Sequence, residues 1–151
     1  MSNRIQLYLL AGLTGVLLTA NSCRKVPLTG RKQLRLLPES TLIQSSVPQY
    51  RKLVSEGSAQ ANPAQVEQVK RVGAKISVAV EQYLKKSKQS ERLSGIKWEF
   101  NVINQNVVNA FCMPGGKVAF YSGIFPLTQD DNGVAVVMGH EIAHAIAGHG
   151  N

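Results

Sequence analysis

The sequence predicts an α+β fold: two N-terminal helices, a small antiparallel sheet with a hairpin, and a buried helix carrying H-E-x-x-H. Three observations lead there. Apolar residues recur at helical spacing in two runs before residue 87, the period then drops to two, and it returns to helical over the last 20 or so residues. Helices followed by paired strands and a further helix suggest a sheet with the last helix packed on it.

In the first helical run, from Ser40 to about Glu56, Ile43, Val47, Tyr50 and Val54 fall on one face, and Pro48 should kink it or mark a late start. The break "GSAQANP" ends in Asn62 and Pro63, a capping side chain followed by a residue that has no amide hydrogen to lose. Val66, Val69, Val72, Ile76, Val80 and Tyr83 then form a stripe, with Glu67, Lys70, Arg71 and Lys75 opposite. In "IKWEFNVI" Ile96, Trp98, Phe100 and Val102 alternate with Lys97, Glu99, Asn101 and Ile103, the pattern of a half-buried strand. Two β-prone runs, "VVNAFCM" and "KVAFYSG", flank "PGG" and predict a hairpin. "IFPLT" is a short connection. The last helix is expected to start at Thr128 as cap, with Asp130 and Asp131 in a first turn where negative charge meets the helix dipole.

The first 22 residues stand apart from this domain. Ile5 to Leu18 is almost wholly apolar, too short for comfortable membrane spanning but the right length for the core of a signal peptide. "TANSC" resembles a bacterial lipoprotein signal, with Ser22 before a lipidated Cys23. An ordinary cleaved signal peptide with Cys23 incidental, or a short uncleaved anchor, stays open. Residues 23–38 form an irregular, basic lead-in, with Arg24, Lys25, Arg31, Lys32 and Arg35 and no acid among them. Next to an anionic membrane, each such residue adds about 1 kcal/mol of attraction. The expected place is therefore the bacterial envelope, facing the periplasm, with a membrane partner held through the lipid.

Net charge is +8, split into +10 over residues 1–99 and −2 over residues 100–151. No nucleic-acid motif accompanies that charge, so nucleic acid is not an expected partner. The two cysteines, Cys23 and Cys112, do not form a disulfide framework, and Cys112 reads as a packed small residue. All three histidines lie between 140 and 149, which leaves no separate pair to activate that thiol.

The chemistry concentrates in "GHEIAH". On a helix, positions four apart differ by about 40°, so His140 and His144 point the same way and can meet one Zn²⁺. Glu141, about 100° from His140, can hold a water beside that metal and take its proton. The bland alternative is two histidines and a glutamate on an exposed helix side. It fits poorly, because Val134, Ala135, Val136, Val137, Met138, Ile142, Ala143, Ala145 and Ile146 surround the motif with apolar residues. A glutamate buried there needs a partner. His149 lies roughly 180° from His140 on a continued helix and reads as a helix-end residue.

"NAFCMPGG" followed by "VVMGHEIAHAIAGHG", with the opening "CRKVPLTGRKQL", resembles the HtpX/BepA/Oma-type zinc metallopeptidases, family M48 of the gluzincin clan, in its exported lipoprotein branch. The resemblance implies zinc ligands at His140 and His144 and a general base at Glu141. It also implies a strand carrying Asn109, Ala110 and Phe111 beside the cleft, where an extended protein or peptide substrate adds as a strand. Cys112 departs from the family's usual alanine. The family's third ligand is a glutamate on a later helix, so residues 39–151 correspond to the N-terminal part of its zinc metallopeptidase domain. The implied function is zinc-dependent hydrolysis of envelope proteins in quality control. The alternatives are an inactive remnant or a non-enzymatic lipoprotein acting as a chaperone-like binding module.

Overall fold

The structure, a computed structural model, describes residues 23–25, 32–34, 37–58 and 60–148. The chain divides into two compact units, Met1–Pro38 with Asn151, and Glu39–Gly150. In the first, strands β1 (Cys23–Lys25) and β2 (Lys32–Leu34) pair antiparallel, with Cys23 opposite Leu34. The stretch expected to be irregular thus contains a short hairpin, its strands on either side of the Thr-Gly turn signal. The expected signal peptide lies outside the described residues.

The second unit begins with α1 (Glu39–Gly57) and α2 (Pro63–Lys86). Pro48 sits inside α1 rather than at its start, with Tyr50 buried on the inward side. Asn62 caps α2 as expected: its Oδ1 accepts from the Ala64 amide at 2.9 Å, and Pro63 takes the first turn. A short 3-10 turn, Ser90–Leu93, leads into strands β3 (Glu99–Ile103), β4 (Ala110–Met113) and β5 (Lys117–Tyr121). Gly115 and Gly116 make the β4–β5 turn with φ of 86° and 76°, a region that glycine enters without a Cβ clash.

The sheet is mixed rather than purely antiparallel. Its order is β3-β5-β4, with β5 antiparallel to β4 but parallel to β3, Glu99 lying opposite Lys117. Loop 104–109 carries the chain past the central position to the far edge, and β5 then returns between its two predecessors. The Lys117 ammonium helps hold this parallel register. It is 3% exposed and donates to the Glu99 carboxylate and the Lys97 carbonyl, both at 2.5 Å.

Both faces of the sheet are covered. On one, Phe100, Val102, Ala110, Cys112, Val118 and Phe120 pack against residues of α2 and the last helix. On the other, Ile103, Phe111, Ala119 and Tyr121 meet Tyr50, Leu53 and Val54 of α1. Ile103, expected on a solvent side, is therefore buried. Gly73 permits the close approach of α2: a Cβ there would stand 2.5 Å from the Phe100 ring.

The "IFPLT" segment is itself ordered, as a 3-10 turn Ser122–Ile124 followed by the short helix α3 (Phe125–Thr128). Helix α4 spans Asp131–Ala147. Its cap is Asp130, not Thr128: Asp130 Oδ1 accepts from the Asn132 and Gly133 amides at 2.9 and 3.0 Å. Thr128 is buried at the end of α3 and bonds back to the Phe125 carbonyl. A carboxylate at the cap satisfies two free amides and also meets the positive end of the helix dipole, which a threonine hydroxyl does less well.

Candidate metal centre

Helix α4 lies over the edge strand β4 and beside α2. Its inward residues Val134, Met138, Ile142 and Ile146 are buried, at the helical spacing of one face. Burial is one-sided, however. Val136 is 73% exposed, and His140 and Ala143 are exposed on the same side. The helix is apolar nearly all round, but this unit covers only its inner face.

Two contacts tie its ends. At the N-terminus the Asp131 carboxylate accepts from Arg71 Nε at 3.0 Å, Arg71 Nη2 at 2.7 Å and Gln68 Nε2 at 3.2 Å. At the C-terminus Arg92 Nη1 donates to the Ile146 carbonyl at 2.9 Å. Each charge opposes the dipole at its own end of the helix. None of Asp131, Arg71 and Arg92 stands out in the sequence as part of the site. The only signal for them is the position of Asp131 in the first turn.

The motif residues sit where helical spacing puts them. His140 is exposed and His144 half-buried, and their Nε2 atoms approach to 2.9 Å with the rings at 89°. Two imidazole nitrogens on a tetrahedral Zn²⁺, at Zn–N of about 2.0–2.1 Å, stand about 3.3 Å apart. A few tenths of an ångström of side-chain rotation takes the pair to that spacing, so these two donors fit the metal. Among the described residues no group of three or more His, Cys, Asp and Glu side chains converges on one point. His149 lies outside the described residues.

Glu141 is half-buried, and its charge is felt at Cys112 of β4. Burial, with a contribution from the Glu141 charge, pushes the Cys112 thiol up to about 12. Cys112 packs with the core as expected, within electrostatic reach of the motif's carboxylate. Residues 110 and 112 share one face of the strand, which is the signal that could have placed Cys112 there.

The other strand residues divide. Ala110 is buried on the side of α4, whereas Phe111 points to the opposite face, edge-on to Tyr50 with ring centroids 6.5 Å apart. Asn109 is exposed, and its Oδ1 accepts from the Ala110 amide at 2.9 Å. The Asn109 carbonyl accepts from Tyr121 at 3.0 Å. By antiparallel alternation Phe111 and Met113 then bond towards β5, and the backbone of Ala110 and Cys112 faces outward. No described strand lies beyond that edge.

Residues 65–151 match the family model described as Peptidase family M48. Among similar proteins, the mitochondrial metalloendopeptidase OMA1 of Arabidopsis thaliana is 39% identical over 77 residues, covering 46% of this chain and 16% of that protein. The human metalloendopeptidase OMA1 is 28% identical over 123 residues, covering 82% of this chain and 23% of the relative. The beta-barrel assembly-enhancing protease of Yersinia pestis is 35% identical over 52 residues, covering 34% and 11% respectively. The chain thus spans under a quarter of the length of these relatives. The matched region contains all of α2 after its first two residues, the mixed sheet and the whole H-E-x-x-H helix, and the chain belongs to peptidase family M48.

Proposed function

We propose that the chain carries the first part of a zinc-dependent endopeptidase centre, with His140 and His144 as metal ligands and Glu141 as general base. The observation that carries this reading is the convergence of the two Nε2 atoms at 2.9 Å on the open side of α4, in a chain of this family. Zinc, when bound, supplies Lewis acidity towards a peptide carbonyl and towards water. The protein's own part is positional. His140 and His144 offer neutral nitrogens from one rigid helix. The Glu141 carboxylate, one residue on, accepts a proton from the attacking water and can return it to the leaving amine.

The outward backbone of β4, at the Ala110 carbonyl and at Cys112, suits an extended peptide laid antiparallel along the edge, with Asn109, whose Oδ1 takes the Ala110 amide, at its entrance. Side-chain recognition by Phe111 does not belong to this reading, because its ring faces α1. The remaining ligand would come from residues outside those described. Export, lipidation at Cys23, an envelope location and a role in protein quality control complete the proposal, supported by the apolar segment before Ser22 and the basic residues after it. The rival is a metal-free binding module that uses the same sheet edge.

The test is Glu141→Gln in the longest natural form of the chain. Loss of casein hydrolysis by about 10²–10⁴-fold with zinc still bound is expected for a general base. Turnover near that of the unmodified protein rejects the assignment, and absence of zinc from the unmodified protein favours the rival.

A further inference from the structure

Loop 104–109 brings the chain to the edge strand β4 and is pinned from behind. The Gln105 carbonyl accepts from the Val107 amide at 2.8 Å, from Ser122 Oγ at 2.9 Å and from the Gly123 amide at 3.2 Å. A Cβ at Gly123 would stand 2.7 Å from the Val107 nitrogen, so glycine there lets the loop rest directly on the turn that follows β5. The loop, "NQNVVN", carries no charge. Its two apolar residues are exposed, Val107 by 44% and Val108 by 61%.

An exposed valine needs no explanation by itself, but the position of Val108 does. Residues 107–109 run into β4 without a turn or bend. The Tyr121 amide donates to the Asn109 carbonyl, so pairing with β5 already holds one step before the strand. Alternation carried back from Ala110 places Val108 on the face shared by Ala110 and Cys112. Its N–H and C=O then lie on the side away from β5. Among the described residues neither of these groups has a hydrogen-bond partner. The outward edge therefore extends beyond β4 itself and ends at an apolar, β-branched residue.

We propose that Val108 is a specificity-determining residue, selecting an apolar side chain, β-branched or aromatic, at the peptide position opposite it. The inference rests on the reading of β4 as the edge that takes an extended peptide. Residues directly opposite in an antiparallel pair share a face, with Cβ atoms about 4.5–5.5 Å apart. Isoleucine, valine or phenylalanine gains contact with Val108 there, and a carboxylate finds no counter-charge in the loop. A run of outward backbone groups favours an extended chain as the occupant over a folded surface. In an antiparallel peptide, the residue opposite Val108 lies four positions towards the C-terminus from the one opposite Cys112. The Glu141 charge is felt at Cys112, so the selective position falls on the C-terminal side of the bond attacked.

The experiment digests a randomised peptide library with the longest natural form of the chain and reads the residues flanking each cleavage by mass spectrometry. Isoleucine, valine and phenylalanine should be enriched over alanine by up to about fivefold at one position C-terminal to the cleaved bond. Val108→Lys should transfer that enrichment to aspartate and glutamate at the same position and leave the other positions as they were. Val108→Thr, of the same shape, should weaken the enrichment without transferring it. Because each profile is a ratio within one digest, a partly unfolded variant does not mimic these outcomes. The same library is also captured on the Glu141→Gln protein and sequenced. Absence of cleavage by the unmodified chain defeats the peptidase reading, and the captured peptides then decide the specificity by the same enrichment. A profile that Val108→Lys does not change overturns the proposal, as does a captured set without apolar enrichment. An unchanged profile with an altered oligomeric mass would show that a second copy covers the valine, which also overturns it.

Discussion

Arg71 on α2 holds Asp131 on α4 through two parallel hydrogen bonds, at 3.0 and 2.7 Å, across 60 positions of sequence. This fork fixes the start of the helix that carries both histidines against the helix that carries much of the core. The Arg71 guanidinium, helped by Gln68, holds the Asp131 carboxyl below its usual range, and the Gly133 and Asn132 amides do the same for Asp130.

The sign of the pH effect follows. A carboxylate whose native pKa is depressed adds stability above its unfolded value, about 3.9 for aspartate, and that contribution is lost as pH falls through the lower native value. Asp131→Asn should therefore lower the melting temperature at neutral pH and leave it nearly unchanged at strongly acid pH. Melting curves at several pH values check this, and an equal loss at every pH would refute the electrostatic account.

Tyr50 is predicted to matter through its hydroxyl. It is 1% exposed, donates to the Val118 carbonyl at 2.7 Å and accepts from Asn101 Nδ2 at 2.9 Å. Burial raises its pKa to about 12, so the hydroxyl stays protonated. Tyr50→Phe keeps the ring but leaves two partners unsatisfied, and should cost about 1–3 kcal/mol in urea unfolding.

Cys112 should resist alkylation. With its thiol pushed up to about 12 by burial and the nearby Glu141 charge, almost no thiolate exists at neutral pH. Iodoacetamide should label it only after denaturant is added. Rapid labelling of the folded chain would show that the side chain is not packed beneath α4.

Gly139 has no described structural need. A Cβ there would meet nothing within 4 Å, so Gly139→Ala should raise stability by about 0.5–1 kcal/mol. If peptidase activity falls while stability rises, the space beside His140 is used by substrate or by another part of the protein.

The histidine pair makes a metal prediction independent of activity. His140→Ala and His144→Ala should each sharply reduce zinc retained after dialysis, because either change removes one of two donors on a single helix. Unchanged zinc in both variants would place the metal elsewhere.

Much of this protein is determined by local spacing and is legible without a fold. The Asn62–Pro63 start, the Pro-Gly-Gly hairpin and the shared face of His140 and His144 depend on contacts within a few residues. Tertiary structure decided the rest, because strand partners and covered faces are set by segments distant in sequence. The alternation in "IKWEFNVI" marks a strand but cannot say that β5 will lie beside it in parallel, or that α1 will cover Ile103. The apolar residues around the motif suggest burial on every side, yet only one face of α4 meets β4 and α2, and Val136 beside His140 stays in solvent. Thr128 and Asp130 are both capable caps. Packing of Thr128 at the end of α3 leaves the position to Asp130, whose free carboxylate can reach two amides at once.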